Sequence, residues 1–108
     1  MSFISAHVLD AVAGVPAASL RITLADRDGA PIADQVTDHD GRVGDLGPDL
    51  LEPGEYAVTF ATGDYFARQD RTTFFPQVTV HFTVTAGEAH YHVPLLLSAY
   101  SYTTYRGS

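Results

Sequence analysis

The sequence of 108 residues contains no cysteine, and all six of its basic residues are arginine. Without cysteine the chain forms no disulfide and uses no thiolate. Its longest apolar run, at residues 93–97, falls well short of the ~20 residues that a membrane helix needs. The first five residues carry neither a basic segment nor a long apolar one, so no secretory signal is visible. We therefore expect a cytoplasmic protein that does not span a membrane.

The charge balance is acidic, with a formal net charge of -7. A chain of this charge is repelled by phosphate backbones and by anionic lipid, which argues against nucleic acid or a membrane surface as a partner. An anionic small molecule would also be repelled at long range. Its capture would need an arginine within the site, where the planar guanidinium suits a flat ligand with carbonyl or carboxylate groups.

The hydrophobic content of 45% and the charged content of 18% are typical of a globular chain. The length predicts one domain over residues 1–108. Short alternating segments separated by turn sequences predict an all-β sandwich of two sheets with about eight strands. Thr62 as N-cap and Asp64 in the first turn predict one short helix over 62–69. The predicted strands cover residues 3–9, 19–25, 32–37, 42–46, 55–60, 77–85, 89–98 and 100–105.

Histidines provide the first candidate site. His90 and His92 are two residues apart on a predicted strand, so both point to one face, ~7 Å apart along the backbone. His7 lies on the first strand, and Arg42 follows the turn that ends at Gly41.

Two other histidines, His39 in a turn and His81 on the polar face of an alternating strand, are interpreted as solvent-facing.

These residues allow two kinds of chemistry. Three imidazoles from two strands could bind zinc, although no carboxylate or cysteine is spaced to complete the set. Alternatively, a neutral imidazole could take a proton from water while an arginine stabilises charge on a carbonyl oxygen. A covalent serine mechanism is disfavoured, because Ser98 and Ser108 lack the context of a nucleophile elbow.

The end of the sequence is rich in functional groups, since Tyr105, Arg106, Gly107 and Ser108 follow one another. Tyr100, Tyr102 and Tyr105 alternate loosely and could form an aromatic platform of the kind a carbohydrate-binding or adhesion module uses. We interpret them instead as residues that pack at the sheet edge and in the tail.

At this point the sequence resembles the transthyretin-like 5-hydroxyisourate hydrolases along nearly its whole length. The resemblance is most specific in the C-terminal tetrapeptide YRGS, which the hormone-carrying transthyretins lack. The other matching segments are AHVLD at 6–10, TDHDGR at 37–42, 56–60 with the pair at 65–66, TFFPQV at 73–78 and HYHVPLLLS at 90–98.

The resemblance implies a transthyretin fold, a homotetramer built as a dimer of dimers, and active sites in the groove between dimers. It implies hydrolysis of 5-hydroxyisourate to 2-oxo-4-hydroxy-4-carboxy-5-ureidoimidazoline in urate breakdown, with no cofactor and no metal. It carries catalytic roles to His7, Arg42, His92 and Ser108, where the carriers have lysine, glutamate and threonine at the first three positions. Substrate-binding roles fall on four further residues: His90, Tyr105, Arg106 and Gly107.

One departure from the pattern is Val43, because many relatives carry cysteine after the arginine. A ligand carrier that uses the same groove without chemistry is the main alternative to the hydrolase.

Overall fold

The computed structural model describes residues 3–107, which form nine strands and one helix. The all-β sandwich with two sheets and a short helix that the sequence predicts is confirmed. The prediction omitted one two-residue strand, Val15–Pro16. The elements are β1 Ile4–Asp10, β2 Val15–Pro16, β3 Arg21–Asp26, β4 Pro31–Val36, β5 Arg42–Val43, β6 Gly54–Phe60, α1 Thr62–Ala67, β7 Val78–Val84, β8 Tyr91–Leu97 and β9 Tyr102–Thr104.

The first sheet has the order β2-β1-β8-β9, and β5 also pairs with β1. Strands β1 and β8 run parallel, and the other pairings in this sheet are antiparallel. The second sheet is antiparallel throughout and has the order β4-β3-β6-β7. The parallel pair joins the start of the chain to a strand near its end, so that segments about 85 residues apart become neighbours.

The core lies between the sheets because alternate residues of strands such as β1 and β7 face inward. In β1 the side chains of Ile4, Ala6 and Val8 are buried, while Ser5 and His7 lie on the outer face and are only partly buried. Burial of a large aliphatic or aromatic side chain stabilises the fold by about 2 kcal/mol. The largest fully buried side chains come from both sheets and the helix and include Ile4, Leu20, Ile22, Leu24, Phe60, Phe66, Leu95 and Leu97.

The helix α1 begins at Thr62, as predicted, but ends at Ala67, two residues before its predicted end. The predicted N-cap was wrong, because Ala61 takes that position and no side chain caps the helix. The hydroxyl of Thr62 donates instead to the carbonyl of Phe75, at 2.8 Å. Asp64 lies in the first turn as predicted. Across residues 3–107 no helix is long and apolar enough to cross a bilayer.

A buried ion pair ties β1 to the segment after the helix. Arg71 donates to both carboxylate oxygens of Asp10, at 2.8 and 3.2 Å, and the Tyr65 hydroxyl donates to the same group at 2.8 Å. Burial would raise the pKa of the Asp10 carboxyl, but the hydrogen bonds from Arg71, the Ala13 amide and Tyr65, with the charge of Arg71, lower it to about 2. Asp10 is thus ionised and holds the fold together from the inner face of the strand that carries His7.

Candidate active site

Strand register assembles the site on the outer face of the first sheet. His7 on β1 is paired with Arg42 on β5, and Ser5 on β1 is paired with His92 on β8. The rings of His7 and His92 lie 6.5 Å apart between centroids. Three of the predicted catalytic residues, which come from the start, the middle and the end of the sequence, therefore share one surface.

The turn before β5 positions Arg42. The Asp38 carboxylate accepts hydrogen bonds from the amides of Asp40, at 2.8 Å, and Arg42, at 3.0 Å. The bond from the Arg42 amide is the main cause that lowers the pKa of Asp38. Gly41 has a φ of +74°, and a Cβ there would lie 2.4 Å from the carbonyl oxygen of Val8. The turn therefore needs glycine next to β1, and Arg42 follows at a fixed place.

The guanidinium of Arg42 is the exposed cation of this face. No described side chain or carbonyl of residues 3–107 forms a hydrogen bond or ion pair with it. Its donors are consequently available to a ligand, as capture of an anion by an acidic protein requires.

His7 has a defined proton arrangement. Its Nε2 lies 3.0 Å from the carbonyl oxygen of Asp40. A carbonyl oxygen only accepts, so Nε2 carries the proton and donates it. In the neutral ring Nδ1 is then unprotonated and can accept.

His92 and His90 meet at one hydroxyl. Nδ1 of His92 lies 2.8 Å and Nε2 of His90 lies 2.9 Å from Oγ of Ser5. The two imidazoles are on one side of the sheet, as predicted, although His90 lies just before β8 rather than on it. Burial lowers the pKa of His92, and the nearby charges of His7, Arg42 and His90 lower it further. His92 is therefore neutral at pH 7.

The C-terminal segment packs against His92. The amide of Gly107 donates to the carbonyl of His92 at 2.8 Å. A Cβ at Gly107 would lie 2.5 Å from Cδ2 of that imidazole, so the ring occupies the space that a side chain would need. Gly107 thus borders the site through His92.

Tyr105 and Arg106 lie further out than Gly107. Tyr105 is 58% exposed. The guanidinium of Arg106 lies 4.4 Å from the ring centroid of Tyr91 and 3.4 Å from the carboxylate of Glu88, which places it at the rim. The fourth member, Ser108, lies outside the described residues.

Two adjoining depressions open beside His92, each of about 380 Å³. Ser5, Arg42, His90 and His92 line one of them, together with Val43. The other is bordered by Tyr105 and Arg106 and, on β7, by His81. The first has the dimensions and polar groups for a small planar ligand.

A possible metal cluster lies elsewhere. Among the described residues, Asp38, His39 and Asp40 are the one set of three potential ligands whose atoms lie within 4.8 Å of one another, and all three are exposed. The imidazoles of His7, His90 and His92 do not converge in this way; two of them converge on Ser5 instead.

The tyrosines considered as a binding platform have neighbours of their own. The ring of Tyr102 packs edge-on against Phe75, with centroids 5.0 Å apart. The hydroxyl of Tyr100 lies 3.5 Å from that of Thr72. Both contacts agree with packing at the sheet edge.

With this geometry in view, the chain can be compared with known proteins. A family model described as the HIUase/Transthyretin family matches residues 4–107. The chain belongs to the HIUase/Transthyretin family. A relative from Salmonella dublin, named 5-hydroxyisourate hydrolase, is 42% identical over 111 residues, which cover 99% of this chain and 82% of the relative.

Two solved structures illustrate the breadth of the HIUase/Transthyretin family. The 5-hydroxyisourate hydrolase of Klebsiella pneumoniae is 34% identical, with a TM-score of 0.91 over 99% of this chain and 100% of that one. Sea bream transthyretin in complex with thyroxine is 35% identical, with a TM-score of 0.90 over 97% and 94% of the two chains. Because an enzyme and a thyroxine complex match equally well, the backbone alone does not separate hydrolase from carrier.

One residue of this site was missed in the sequence. Ser5 precedes His7 by two positions, so strand alternation places it on the same face. Its position opposite His92 depends on the parallel pairing of β1 with β8, which no local pattern indicates.

Proposed function

We propose that this chain is a hydrolase that converts 5-hydroxyisourate to 2-oxo-4-hydroxy-4-carboxy-5-ureidoimidazoline, with residues 1–108 acting as one domain. The observation that carries the proposal is the juxtaposition of His7, Arg42 and His92 on one outer face. The names of the Salmonella and Klebsiella relatives support the choice of substrate.

In the mechanism we propose, a neutral imidazole activates water. His92 is suited to this role because its lowered pKa keeps it unprotonated at pH 7. As the water oxygen bonds to the amide carbonyl carbon of the six-membered ring, the imidazole takes one proton from that water. The ring C–N bond then breaks, and the leaving nitrogen receives a proton. His7, whose Nε2 donates to the Asp40 carbonyl and whose Nδ1 is left for a proton, is the second group able to accept or return a proton in this step.

Arg42 binds the substrate and stabilises the charge that develops. Its guanidinium is unpaired among residues 3–107 and can hold two carbonyl oxygens of a flat ring in fixed orientation. The same positive charge offsets the repulsion that a net charge of -7 exerts on an anionic urate derivative. The transition state carries more charge on the carbonyl oxygen than the ground state, so the interaction favours catalysis as well as binding.

We assign Ser108 a catalytic role and give Tyr105, Arg106, Gly107 and His90 substrate-binding roles, as in the family resemblance. Gly107 supports this assignment most directly, because it borders the His92 ring. Arg106 would have to leave its contacts with Tyr91 and Glu88 to reach a ligand next to Arg42, and both contacts are at an exposed rim.

We also propose a homotetramer in which a neighbouring dimer closes the depression. Strands β7 and β9 end their sheets at one edge, and Leu9 and Leu96 are exposed beyond the polar part of the outer face. Unpaired edges and exposed apolar side chains are features that assembly would cover. Size-exclusion chromatography with light scattering should give four times the chain mass, and a monomer would contradict this arrangement.

The activity is tested by generating 5-hydroxyisourate with urate oxidase and following its absorbance. We expect the decay to become faster in proportion to added protein. The catalysed rate should fall at acid pH as His92 becomes protonated, at a pH below the ordinary imidazole pKa of about 6.5. Decay at the uncatalysed rate, with retained ligand binding, would instead identify a carrier.

A further inference from the structure

The Ser5 hydroxyl links two imidazoles at the centre of the polar face. Its Oγ lies 2.8 Å from Nδ1 of His92 and 2.9 Å from Nε2 of His90, and all three side chains are partly buried. Neither contact involves backbone, so the arrangement depends on the side chains alone. Strand pairing holds Ser5 directly opposite His92.

Counting protons gives two arrangements in which the Ser5 proton stays within this cluster. A serine hydroxyl donates one hydrogen bond and can accept more than one through its lone pairs. Among residues 3–107 the hydrogen-bond partners of the Ser5 hydroxyl are His90 and His92. When both rings are neutral and Ser5 donates to one imidazole, the other imidazole donates to Ser5. The proton positions on His90 and His92 are therefore coupled, because a change in one ring requires a change in the other.

The position of Arg42 distinguishes the two arrangements. His92 turns Nδ1 towards Ser5, which leaves Nε2 as its second nitrogen, and His92 and Arg42 line the same depression. With the proton on Nδ1, the N–H of His92 points to Ser5 and the lone pair on Nε2 lies on the other side of the ring. A lone pair is favoured over an N–H in the field of a nearby cation.

We propose that Ser5 is a positioning residue that holds neutral His92 with its proton on Nδ1 and leaves Nε2 free to accept a proton. Ser5 in turn donates its own hydroxyl proton to Nε2 of His90. His7 has the opposite arrangement, with the proton on Nε2, because that atom donates to the Asp40 carbonyl. In their neutral forms, His7 and His92 would thus accept through different nitrogens, Nδ1 in His7 and Nε2 in His92.

The inference rests on the proposed function for its effect on turnover, but not for the proton positions themselves. Water activation by His92 requires an accepting nitrogen on the substrate side, and a ring free to exchange its proton between nitrogens would present that nitrogen for only part of the time. Loss of Ser5 should therefore lower kcat and leave substrate binding by Arg42 intact.

The direct test is nitrogen NMR of the intact, uniformly ¹⁵N-labelled protein at a pH where the histidines are neutral. Long-range proton–nitrogen correlations distinguish the two neutral forms of each imidazole. We expect His92 to carry its proton on Nδ1 and His7 to carry it on Nε2, with exposed His81 as a reference for an unconstrained ring. A proton on Nε2 of His92 would overturn the proposal, and this measurement needs no substitution and no substrate.

Variants connect the proton position to turnover. Ser5→Ala should convert His92 to a mixture of both forms and lower kcat by about tenfold, with KM changed less than about twofold. Ser5→Thr, which keeps the hydroxyl on a strand position, should restore both readouts. Thr79→Ala is the matched control, because it removes a hydroxyl that contacts Thr59 on the outer face of the other sheet, and it should change neither.

The outcomes separate the two proposals. If the wild-type protein does not hydrolyse 5-hydroxyisourate, the proposed function is wrong, while the NMR experiment still decides the role of Ser5. If Ser5→Ala hydrolyses the substrate at the wild-type rate with His92 unchanged, the positioning role is overturned and the proposed function stands.

Discussion

The outer faces of the two sheets use similar residues with different results. On the second sheet, Arg21 forms an ion pair with Asp34, and His81 is exposed opposite Ala57. On the first sheet, Arg42 has no such partner among residues 3–107, and His92 lies opposite a serine that also contacts His90. The presence of histidine and arginine on a strand therefore does not by itself indicate a functional site.

The difference lies in what each side chain faces. On the second sheet the charge of Arg21 is paired with the carboxylate of Asp34. The hydroxyls of Thr59 and Thr79 form a hydrogen bond with each other, at 3.0 Å. On the first sheet the imidazoles of His7, His90 and His92 lie near the guanidinium of Arg42, and no carboxylate of residues 3–107 forms an ion pair with them. Burial and then these neighbouring charges lower the pKa of His92. An arrangement that costs stability and keeps polar groups available is typical of a functional site.

The largest effect should come from exchanging one histidine on each face. We expect His92→Asn to lower kcat/KM for 5-hydroxyisourate by at least about a hundredfold, because it removes the proton acceptor, and His7→Asn to have an effect of similar size. His81→Asn, on the outer face of the second sheet and at the border of the second depression only, should lower turnover far less than either. The decay assay measures all three, and equal activity of the His92 and His81 variants would remove the distinction between the faces.

A second prediction concerns Asp10, on the inner side of β1, and the stability of the fold. Asp10→Asn should lower the free energy of unfolding by about 2 kcal/mol, because Arg71 loses its buried ionised partner. Since the pKa of Asp10 is about 2 in the folded chain and about 4 in the unfolded chain, its contribution is complete above about pH 4 and is lost as the pH falls towards 2.

Urea unfolding of both proteins at pH 7 and at pH 3 measures this contribution. The difference in stability between wild type and variant should become smaller at the lower pH. A difference that does not depend on pH would contradict ionisation of Asp10 as the source of the stability.

A smaller effect on turnover is expected from replacing Arg42, with Arg21 on the other sheet as its control. Arg42→Gln should reduce kcat/KM by about tenfold, mainly through KM, because the planar donors that hold the substrate are lost. Arg21→Gln removes an equal charge from the solvated face and serves as the control for net charge. If both variants lost activity equally, the overall field rather than local contact would explain the role of Arg42.

The smallest effect concerns Gly107. A methyl group at this position would meet the His92 ring, so Gly107→Ala should shift the ring and lower kcat about threefold while the fold is retained. Circular dichroism and the decay assay measure the two quantities. Full activity would show that the C-terminal segment and the ring do not constrain each other.

The local features of this chain follow from its pattern. Alternation in segments such as Val78–Val84 predicted which side chains face the core, and this is confirmed by the burial of Val78 and Val84 next to exposed Thr79 and His81. The N-cap was predicted wrongly, because the hydroxyl of Thr62 donates to the carbonyl of Phe75, which lies 13 residues further along the sequence.

The sequence by itself determined the sandwich, the common face of His90 and His92, and the glycine-containing turn before Arg42. These depend on the alternation of side chains along a strand and on backbone angles, which act over a few residues. Only the tertiary structure decided that Ser5 lies opposite His92 and that Arg42 lies beside His7. Those neighbours are set by the parallel pairing of the first strand with a late one and by the short β5, and such pairing joins positions whose distance along the chain leaves no local trace.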